Sequence, residues 1–482
     1  MSGGEAAGAV TLSFCRPLPK PLAAALLLLQ MTLDASAHAS DRGYVLLLPT
    51  GHYIIGGAVA VAASFLALVL LPPRSLAHLA GMRLRLFRLD ERARPLVSFL
   101  AFLVLCILIA AGFLGSRDPL SNPLPLVVWT LLWVGLTLVQ GILGNLWAWI
   151  NPWHGPYWVA RRLGLPSRLL QLPERVGYWP AVIQFAGFAW LELVDPAPDD
   201  PARLAAVAVS YAALNLAATL VFGYRDWSRR GEFLSVFFGM IASFAILQRC
   251  SEEPEVICAG LPGAQLREAR SLPPSGVAFL LLALSSVSFD GLSRTFFWLG
   301  LNGINPLEFP GRSAMIAVNT VGLAGAFVAL TAIFVLAVAM GDRLTAGQRP
   351  LTDAAGLHVW SIVPIALAYH FAHYLTALLV NGQYAMVALS DPFDLGWNLF
   401  GMAYMTVSAG IASGSAAAWV LWNAQAAAII GGHVLAVLVA HVLAGRVHAD
   451  GRQASLGQIP LTILTISYTV LGLWLLSTPT AG

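Results

Sequence analysis

The sequence predicts an all-α protein, a polytopic bundle of membrane-spanning helices. Hydrophobic residues make up 58% of the 482 residues, and charged residues make up only 11%. Apolar runs of about 20 residues, the length an α-helix needs to cross a bilayer, recur along the chain. No segment has the composition of a soluble domain. The net charge of +3 comes from arginines spread over loops, so it does not indicate a nucleic-acid partner.

The first residues are typical of a cleaved signal peptide, assigned here to residues 1–39. Basic residues precede an apolar run, and small residues offer cleavage sites after Ala37 or Ala39. Residues 40–482 are then a single transmembrane helical domain. Its mature N-terminus is expected on the periplasmic side of a bacterial inner (cell) membrane.

Ten apolar spans follow the signal peptide. They cover residues 53–71, 96–114, 124–149, 178–194, 203–222, 276–290, 314–340, 358–380, 415–444 and 459–477. The segment Glu232 to Leu247 is either an eleventh span or an interfacial helix on the inner side. With ten spans, twenty arginines fall in inner loops and five in outer loops, whereas eleven spans give fifteen and ten. Positive residues collect on the cytoplasmic side, so the arginines favour ten.

The ten-span topology places long loops on both sides of the membrane. Two outer loops, near 288–313 and 381–414, are rich in Trp, Asn, Asp and Gly. Long loops of this composition are expected to form lids or ordered caps over a cavity. An inner loop lies near 224–275. It contains Cys250 and Cys258, which would be reduced thiols there, whereas an eleventh span would place them outside and allow a disulfide.

Three histidines inside apolar spans are the candidate metal ligands. His370 and His373 lie three residues apart, so their imidazoles share one helix face. His433 lies well inside the next long apolar span. Ionisable groups at bilayer depth are costly and mark functional sites. Three imidazoles at similar depth could hold a divalent transition metal, zinc or copper, or two of them could ligate a haem iron; purely structural histidines are the alternative.

Other polar residues could complete such a site. Asp290, at the outer end of its span, could orient an imidazole or accept a proton, or could simply cap the turn before Gly291. Solvation adequately explains Glu192 and Asp195 at another outer helix end. The candidates for lining a substrate cavity are Trp298, Asn381, Gln383, Trp422, Asn423 and Gln425.

Several enzyme classes lack their motifs in this sequence. We find no His-Glu-x-x-His, Gly-x-Ser-x-Gly, P-loop or dinucleotide glycine pattern. The single lysine, Lys20, lies in the signal peptide, which excludes lysine-nucleophile chemistry in the mature chain. The sequence shows no duplicated half with paired broken helices, which argues against a secondary transporter.

Strings along the C-terminal two thirds of the chain resemble the bacterial membrane proteins called fenitrothion hydrolases. In chain order they are GNLW (144–147), NPW (151–153), GEFLSVFFG (231–239), SFDGLSR (288–294), YHFAHYL (369–375), NGQY (381–384), SDPF (390–393), GWNLFG (396–401) and GHVL (432–435). The resemblance covers roughly residues 140–475. It implies an inner-membrane enzyme that hydrolyses an organophosphorus triester, and it brings no catalytic residues with it.

The resemblance and the histidines together predict a metal-dependent phosphotriester hydrolase. A cation on His370, His373 and His433 would polarise the phosphoryl group and supply hydroxide near neutral pH, with Asp290 relaying the proton. Apolar triesters partition into membranes and would reach such a site. The alternatives are a metal- or haem-bearing redox protein, or a transporter or assembly factor. Membrane lipids are the expected partners, and a second membrane subunit is a further one.

Overall fold

The computed structural model describes residues 50–70, 81–250, 253, 255–308, 311–345, 349–402, 404–408, 415–448 and 450–480. The predicted signal peptide and mature N-terminus therefore lie outside the described residues. Within them the chain is helical apart from one small sheet, so the all-α prediction is confirmed. Nine helical segments of this part are long and apolar enough to cross a membrane.

The helices are numbered in chain order. They are α1 (Thr50–Leu70), α2 (Arg94–Leu114), α3 (Pro123–Leu143), α4 (His154–Arg162), α5 (Trp179–Leu193), α6 (Pro201–Phe222), α7 (Tyr224–Arg230), α8 (Phe233–Ala242), α9 (Pro274–Ser293), α10 (Phe296–Leu301), α11 (Ile316–Leu344), α12 (Leu351–His358), α13 (Ile362–Ser390), α14 (Ser415–Val447) and α15 (Gly451–Ser477). The strands are β1 (Arg83–Arg88), β2 (Leu247–Arg249) and β3 (Val256–Gly260).

Helix α9 lies at the centre of the bundle. It begins at Pro274, which suits a first turn because its missing N–H would have no partner there. Every residue from Ser275 to Asp290 is buried, and α9 packs against α5, α11 and α13. A helix that is apolar on all faces is stable only when surrounded in this way. Asp290 is thereby carried into the protein interior.

The sheet shows which chain segments share an end of the bundle. β3 pairs antiparallel with both β1 and β2. The segment after α1 and the segment before α9 therefore meet at one end, called here the sheet end. The chain between them must run the length of the bundle an even number of times, and α2, α3 and α6 provide three of these passes.

Helix α5 provides the fourth pass. At the sheet end, the amide of Tyr178 donates to Ser275 Oγ at the start of α9 (2.9 Å). At the opposite end, Glu192 and Asp290 contact the same tyrosine hydroxyl. The 15 residues of α5 thus run parallel to α9. Within the described chain, ten helices run between the two ends, the number that the arginines favour.

Helix α8 fits neither alternative proposed for the segment Glu232 to Leu247. Its ten residues rise about 15 Å, half the thickness of a bilayer's apolar core. Eight of its side chains are buried, whereas an interfacial helix exposes a polar face. α8 therefore enters the core from the sheet end, and the chain turns back.

The predicted outer loops are shorter than expected. α9 continues through Ser293 and α13 through Ser390, so the first part of each predicted loop is helical. In α13, Ala385 and Ala388 pack with Leu126 of α3. This packing outweighs the polar composition from which we predicted a loop.

Cys250 and Cys258 are joined by a disulfide at the sheet end, with their Cα atoms 5.5 Å apart. The ten-span topology predicts free thiols here, so the structure differs from that expectation. The physical reason is the β2 and β3 pairing, which sets Gln248 opposite Cys258 and brings the two cysteines together.

Candidate functional site

Asp290 and His373 form a hydrogen-bonded pair between α9 and α13. His373 Nε2 lies 2.8 Å from Asp290 Oδ2. Asp290 is 8% exposed, whereas the His373 side chain is 34% exposed. A buried carboxylate thus holds one nitrogen of a partly accessible imidazole, the arrangement in which an aspartate orients a histidine.

Tyr374 joins this pair to a second carboxyl group. Its hydroxyl lies 2.8 Å from Asp290 Oδ2 and 2.8 Å from Glu192 Oε1. The ring of Tyr374 also meets the ring of His373 edge to face, at 4.7 Å. Four titratable side chains from α5, α9 and α13 are therefore connected. We call Glu192, Asp290, His373 and Tyr374 the proton cluster.

Counting hydrogens shows that the proton cluster holds more than one exchangeable proton. The Tyr374 hydroxyl has one hydrogen, so it can donate to only one of its two carboxyl neighbours. Asp290 Oδ2 also faces His373 Nε2, so an ionised Asp290 accepts from both the tyrosine and the histidine. The contact with Glu192 is then a hydrogen bond only if Glu192 is protonated and donates to the tyrosine oxygen. In that arrangement the two carboxyl groups carry one negative charge between them.

Arg312 fixes the end of α5 that carries Glu192. Its guanidinium donates to the backbone oxygens of Glu192 (2.5 Å) and Asp195 (2.8 Å), which the helix itself leaves without partners. The buried Asp195 side chain pairs with Arg203 at 2.5 Å. Solvation is therefore the wrong interpretation of Glu192 and Asp195, because both carboxyl groups have protein partners.

The second ring nitrogen of His373 is open to approach. A Cβ atom placed at Gly291 would lie 3.9 Å from His373 Nδ1. Thr376 and Ala377, one turn further along α13, are exposed. The same position lies 3.6 Å from the Leu475 side chain, so Gly291 leaves room for about a methyl group between Leu475 and the ring. Within the described chain, Nδ1 has no hydrogen-bond partner. A water molecule could bind there.

His370 and His433 do not join His373. His370 Nε2 lies 2.9 Å from the Trp133 carbonyl oxygen, and His433 Nδ1 lies 2.7 Å from the Ile429 carbonyl oxygen. No three His, Cys, Asp or Glu side chains of the described residues lie close enough to hold a metal ion. The predicted three-histidine site for zinc, copper or another divalent metal is therefore not formed. Sequence spacing predicts how deep each histidine lies along its helix, but not which neighbouring helix it faces. His370 contacts α3, whereas His373 contacts α9.

His370 packs between Trp133 of α3 and Tyr374 of the proton cluster. Residues 126–136 of α3 are π-helical, a geometry that leaves carbonyl groups free for other partners. The Trp133 oxygen accepts from Thr137 as well as contacting His370. The His370 ring packs edge to face on Trp133 at 5.2 Å and on Tyr374 at 4.9 Å. His370 is therefore a positioning residue for Tyr374.

Three of the predicted cavity-lining residues lie in the same half of the bundle as the proton cluster. Trp298 donates to a side-chain oxygen of α11 (3.1 Å) and so ties α10 to α11. Gln383 forms two hydrogen bonds with the backbone of Ser408. Asn381 lies on α13, eight residues after His373. Within the described chain, no hydrogen bond connects these three to the proton cluster.

The other three predicted residues hold α14 in place. Gln425 donates to the Ala372 carbonyl of α13 (2.7 Å). Asn423 accepts from the hydroxyl of Tyr53 (2.9 Å), and Trp422 packs against the same tyrosine ring at 5.7 Å. The polar atoms of Gln425 and Asn423 and the ring of Trp422 join helices, so we no longer expect these residues to line a substrate cavity.

Comparisons with known proteins do not assign this site. No protein-family model, no curated protein and no solved structure matches the chain.

Sequence reasoning missed Tyr374 and Glu192. Glu192 is the only carboxylate inside the apolar stretch 179–193, a signal comparable to that of the histidines. Tyr374 directly follows His373, but tyrosine is common in membrane helices, and only the neighbouring carboxyl groups distinguish it.

Proposed function

We propose that this chain is a multi-pass protein of a bacterial inner membrane that hydrolyses an apolar phosphotriester, with His373 as the general base. The nine long apolar helices support the membrane location. The arginine-rich loops gather at the sheet end, which supports a cytoplasmic sheet end and a proton cluster in the outer half of the bundle. On that side of the membrane the Cys250–Cys258 disulfide would be reduced to two thiols. A cleaved signal peptide would leave the mature N-terminus in the periplasm.

The observation that carries the proposal is the Asp290–His373 pair with its free Nδ1. His373 Nδ1 removes a proton from water, and the resulting hydroxide attacks phosphorus. The phosphorus–aryloxide bond breaks, giving a dialkyl phosphate and a phenolate. The imidazolium then releases its proton to solvent. Asp290, bonded to Nε2, fixes the tautomer and stabilises the charged ring.

Two features support the phosphotriester as substrate. The sequence strings that resemble those of fenitrothion hydrolases include both members of the pair, Asp290 and His373. The pair also lies inside an apolar bundle, where an uncharged, lipid-soluble ester can accumulate. No step runs through a metal, because the residues predicted to hold one are not brought together.

Release of nitrophenol from a dialkyl nitrophenyl phosphate by reconstituted protein tests the proposal. We expect His373→Gln to lower the rate by about 10²- to 10⁴-fold, the usual contribution of a general base. A chelator should leave the wild-type rate unchanged. His52→Gln, at an exposed histidine of α1, is the matched control and should keep the full rate. No release by folded wild-type protein, or full activity of His373→Gln, would reject the proposal.

Proton-coupled transport is the second candidate function. The observation that favours it is the hydrogen-bonded chain from Glu192 through the Tyr374 hydroxyl to Asp290. Buried carboxyl groups that exchange one proton are a common feature of membrane pumps and transporters. In this case the proton cluster would load and release a proton as a solute crosses.

A measurement on sealed proteoliposomes separates the two candidates. Transport requires an imposed pH gradient to drive solute uptake without chemical change, and Glu192→Gln should abolish the gradient dependence. Hydrolysis requires product formation that does not depend on the gradient. Gradient-independent nitrophenol release therefore supports the hydrolase and excludes coupling for that substrate.

A further inference from the structure

A cavity of about 480 Å³ opens at the sheet end, opposite the proton cluster. Its wall includes residues of α2, α7 and α8 and of the segments before α5 and α9. Arg94, Arg229 and Arg270 line it, and no Asp or Glu is among its lining residues. The volume is within the range of small-molecule sites in proteins. We call this cavity the arginine pocket.

Arg94 is anchored within the arginine pocket. Its Nε donates to the Ala148 carbonyl (2.7 Å), and its Nη2 donates to the Tyr224 hydroxyl (3.3 Å). Nη1 lies 3.8 Å from the half-exposed carboxylate of Glu91, a pair of modest strength in water. The side chain is 22% exposed. An arginine held in this way loses little conformational entropy when it binds an anion.

Arg229 and Arg270 add charge that no carboxylate neutralises. Within the described residues, neither forms an ion pair, and both are exposed. The indole of Trp360 donates to the Arg270 backbone carbonyl (2.9 Å), which fixes the main chain at the rim. The pocket therefore carries a concentrated positive charge.

Glu232 lies behind the pocket wall, where protein donors bind its carboxyl group. The Ser235 amide donates to its carboxyl (2.7 Å), as does the Trp147 indole (3.4 Å), and both residues also line the pocket. Glu232 is fully buried, and burial raises the pKa of its carboxyl above the usual value. The neutral form is thereby favoured.

We propose that the arginine pocket binds a phosphate-bearing organic anion. A carboxylate offers two oxygens and one charge, whereas a phosphate group offers up to three free oxygens and nearly two charges, which suits three guanidinium groups better. The organic part of the ligand would pack on the aromatic side chains of the wall, which are Trp147, Tyr178, Tyr224 and Trp360. An anionic phospholipid headgroup and a soluble phosphate ester share this chemistry.

The test uses the full chain in nanodiscs and two probes. Phenyl phosphate is titrated calorimetrically into protein in phosphatidylcholine discs. In a second arm, native mass spectrometry counts the phosphatidylglycerol retained from mixed discs. We expect saturable one-to-one binding in at least one arm, weakened tenfold or more by the double variant Arg229→Gln with Arg270→Gln. Arg225→Gln, on the same short helix α7 but outside the lining, is the matched control and should bind normally.

The two arms distinguish the ligand sources. Saturable phenyl phosphate binding alone supports a soluble ester, and specific retention of phosphatidylglycerol alone supports a lipid headgroup. Arg229→Lys, which keeps the charge but loses the planar fork, should fall between wild type and the double variant. Absence of saturation in both arms, or wild-type binding by the double variant, would overturn the proposal. We expect these variants to leave nitrophenol release unchanged, so the result is independent of the hydrolase proposal.

Discussion

Tyr374 determines how charge is distributed in the proton cluster. Within the described residues, its hydroxyl is the one group that forms hydrogen bonds with both the buried Asp290 and the partly buried Glu192, at 2.8 Å each. Without it, two carboxylates near one another in an apolar bundle would repel and would lack a shared donor. Asp290 orients the His373 ring, so Tyr374 acts on the base through its neighbour.

Removal of the Tyr374 hydroxyl tests this role. We expect Tyr374→Phe to reduce nitrophenol release by about tenfold and to change the pH–rate profile, because the cluster loses one hydrogen bond to a charged group. Tyr384→Phe, on the same helix α13 and without a bond to the cluster, is the control. A pH–rate profile identical to wild type would show that Tyr374 only fills space.

Glu232 is a second buried carboxyl group whose partners allow a stability prediction. The hydroxyl of Tyr211 and the indole of Trp147 contact its oxygens. Glu232→Gln keeps an acceptor for these donors and should change the unfolding free energy by less than about 1 kcal/mol. Glu232→Ala leaves buried donors without partners and should cost about 2–4 kcal/mol. Thermal unfolding in detergent measures both.

The pH dependence of the same variant has a defined sign. Burial raises the pKa of Glu232 in the folded state, so the folded protein binds this proton more tightly than the unfolded chain. The stabilisation is present at low pH and is lost as pH rises through the folded pKa. Wild-type stability should therefore fall relative to Glu232→Gln as pH rises above the unfolded value. A stability difference between wild type and Glu232→Gln that stays constant with pH would contradict the raised pKa of Glu232.

At the scale of elements, α5 and α8 determine the topology. Both lie between two segments that the sheet brings to the same end, and only one of them can run the full length of the bundle. Helix α5 is the one that runs the full length. It contacts the start of α9 at one end and the proton cluster at the other. Hydropathy alone could not decide this, because α8 is as apolar as a spanning helix but too short.

Labelling of engineered cysteines tests the topology in cells. Leu395→Cys, at an exposed position beyond α13, should react with an impermeant maleimide added outside. Leu169→Cys, exposed at the sheet end between α4 and α5, should react only after the membrane is opened. The expectation follows from the arginine-rich sheet end facing the cytoplasm. Labelling of position 169 from outside would reverse the orientation and move the disulfide and the arginine pocket to the periplasm.

At the scale of the whole molecule, sequence patterns predicted the number and approximate bounds of the passes better than the site. Apolar length and arginine position are local properties that a bilayer selects directly, so they can be read from the sequence. The proton cluster depends on which face each helix presents to its neighbours. His370 and His373 share a span and differ by three residues, yet they contact different helices.

The pairing of His373 with Asp290 could be anticipated only as one possibility among several. Both residues were candidates because charge at bilayer depth is costly. Their 2.8 Å contact results from the packing of α9 against α13, a long-range property that periodicity does not contain. For the same reason the three predicted histidine ligands do not converge, since residues at similar depth need not face one another.

Chemical rescue of His373→Gly by imidazole tests the proposed general base most directly. The substitution removes the ring and leaves space beside Gly291 that a free imidazole can enter. We predict that nitrophenol release falls by about 10²-fold or more and that added imidazole restores part of it. Restoration should fall at acid pH, where imidazole is protonated, and should be absent when Asp290→Asn is added. A folded His373→Gly variant that keeps the wild-type rate, or that imidazole does not restore, would contradict a catalytic base at position 373.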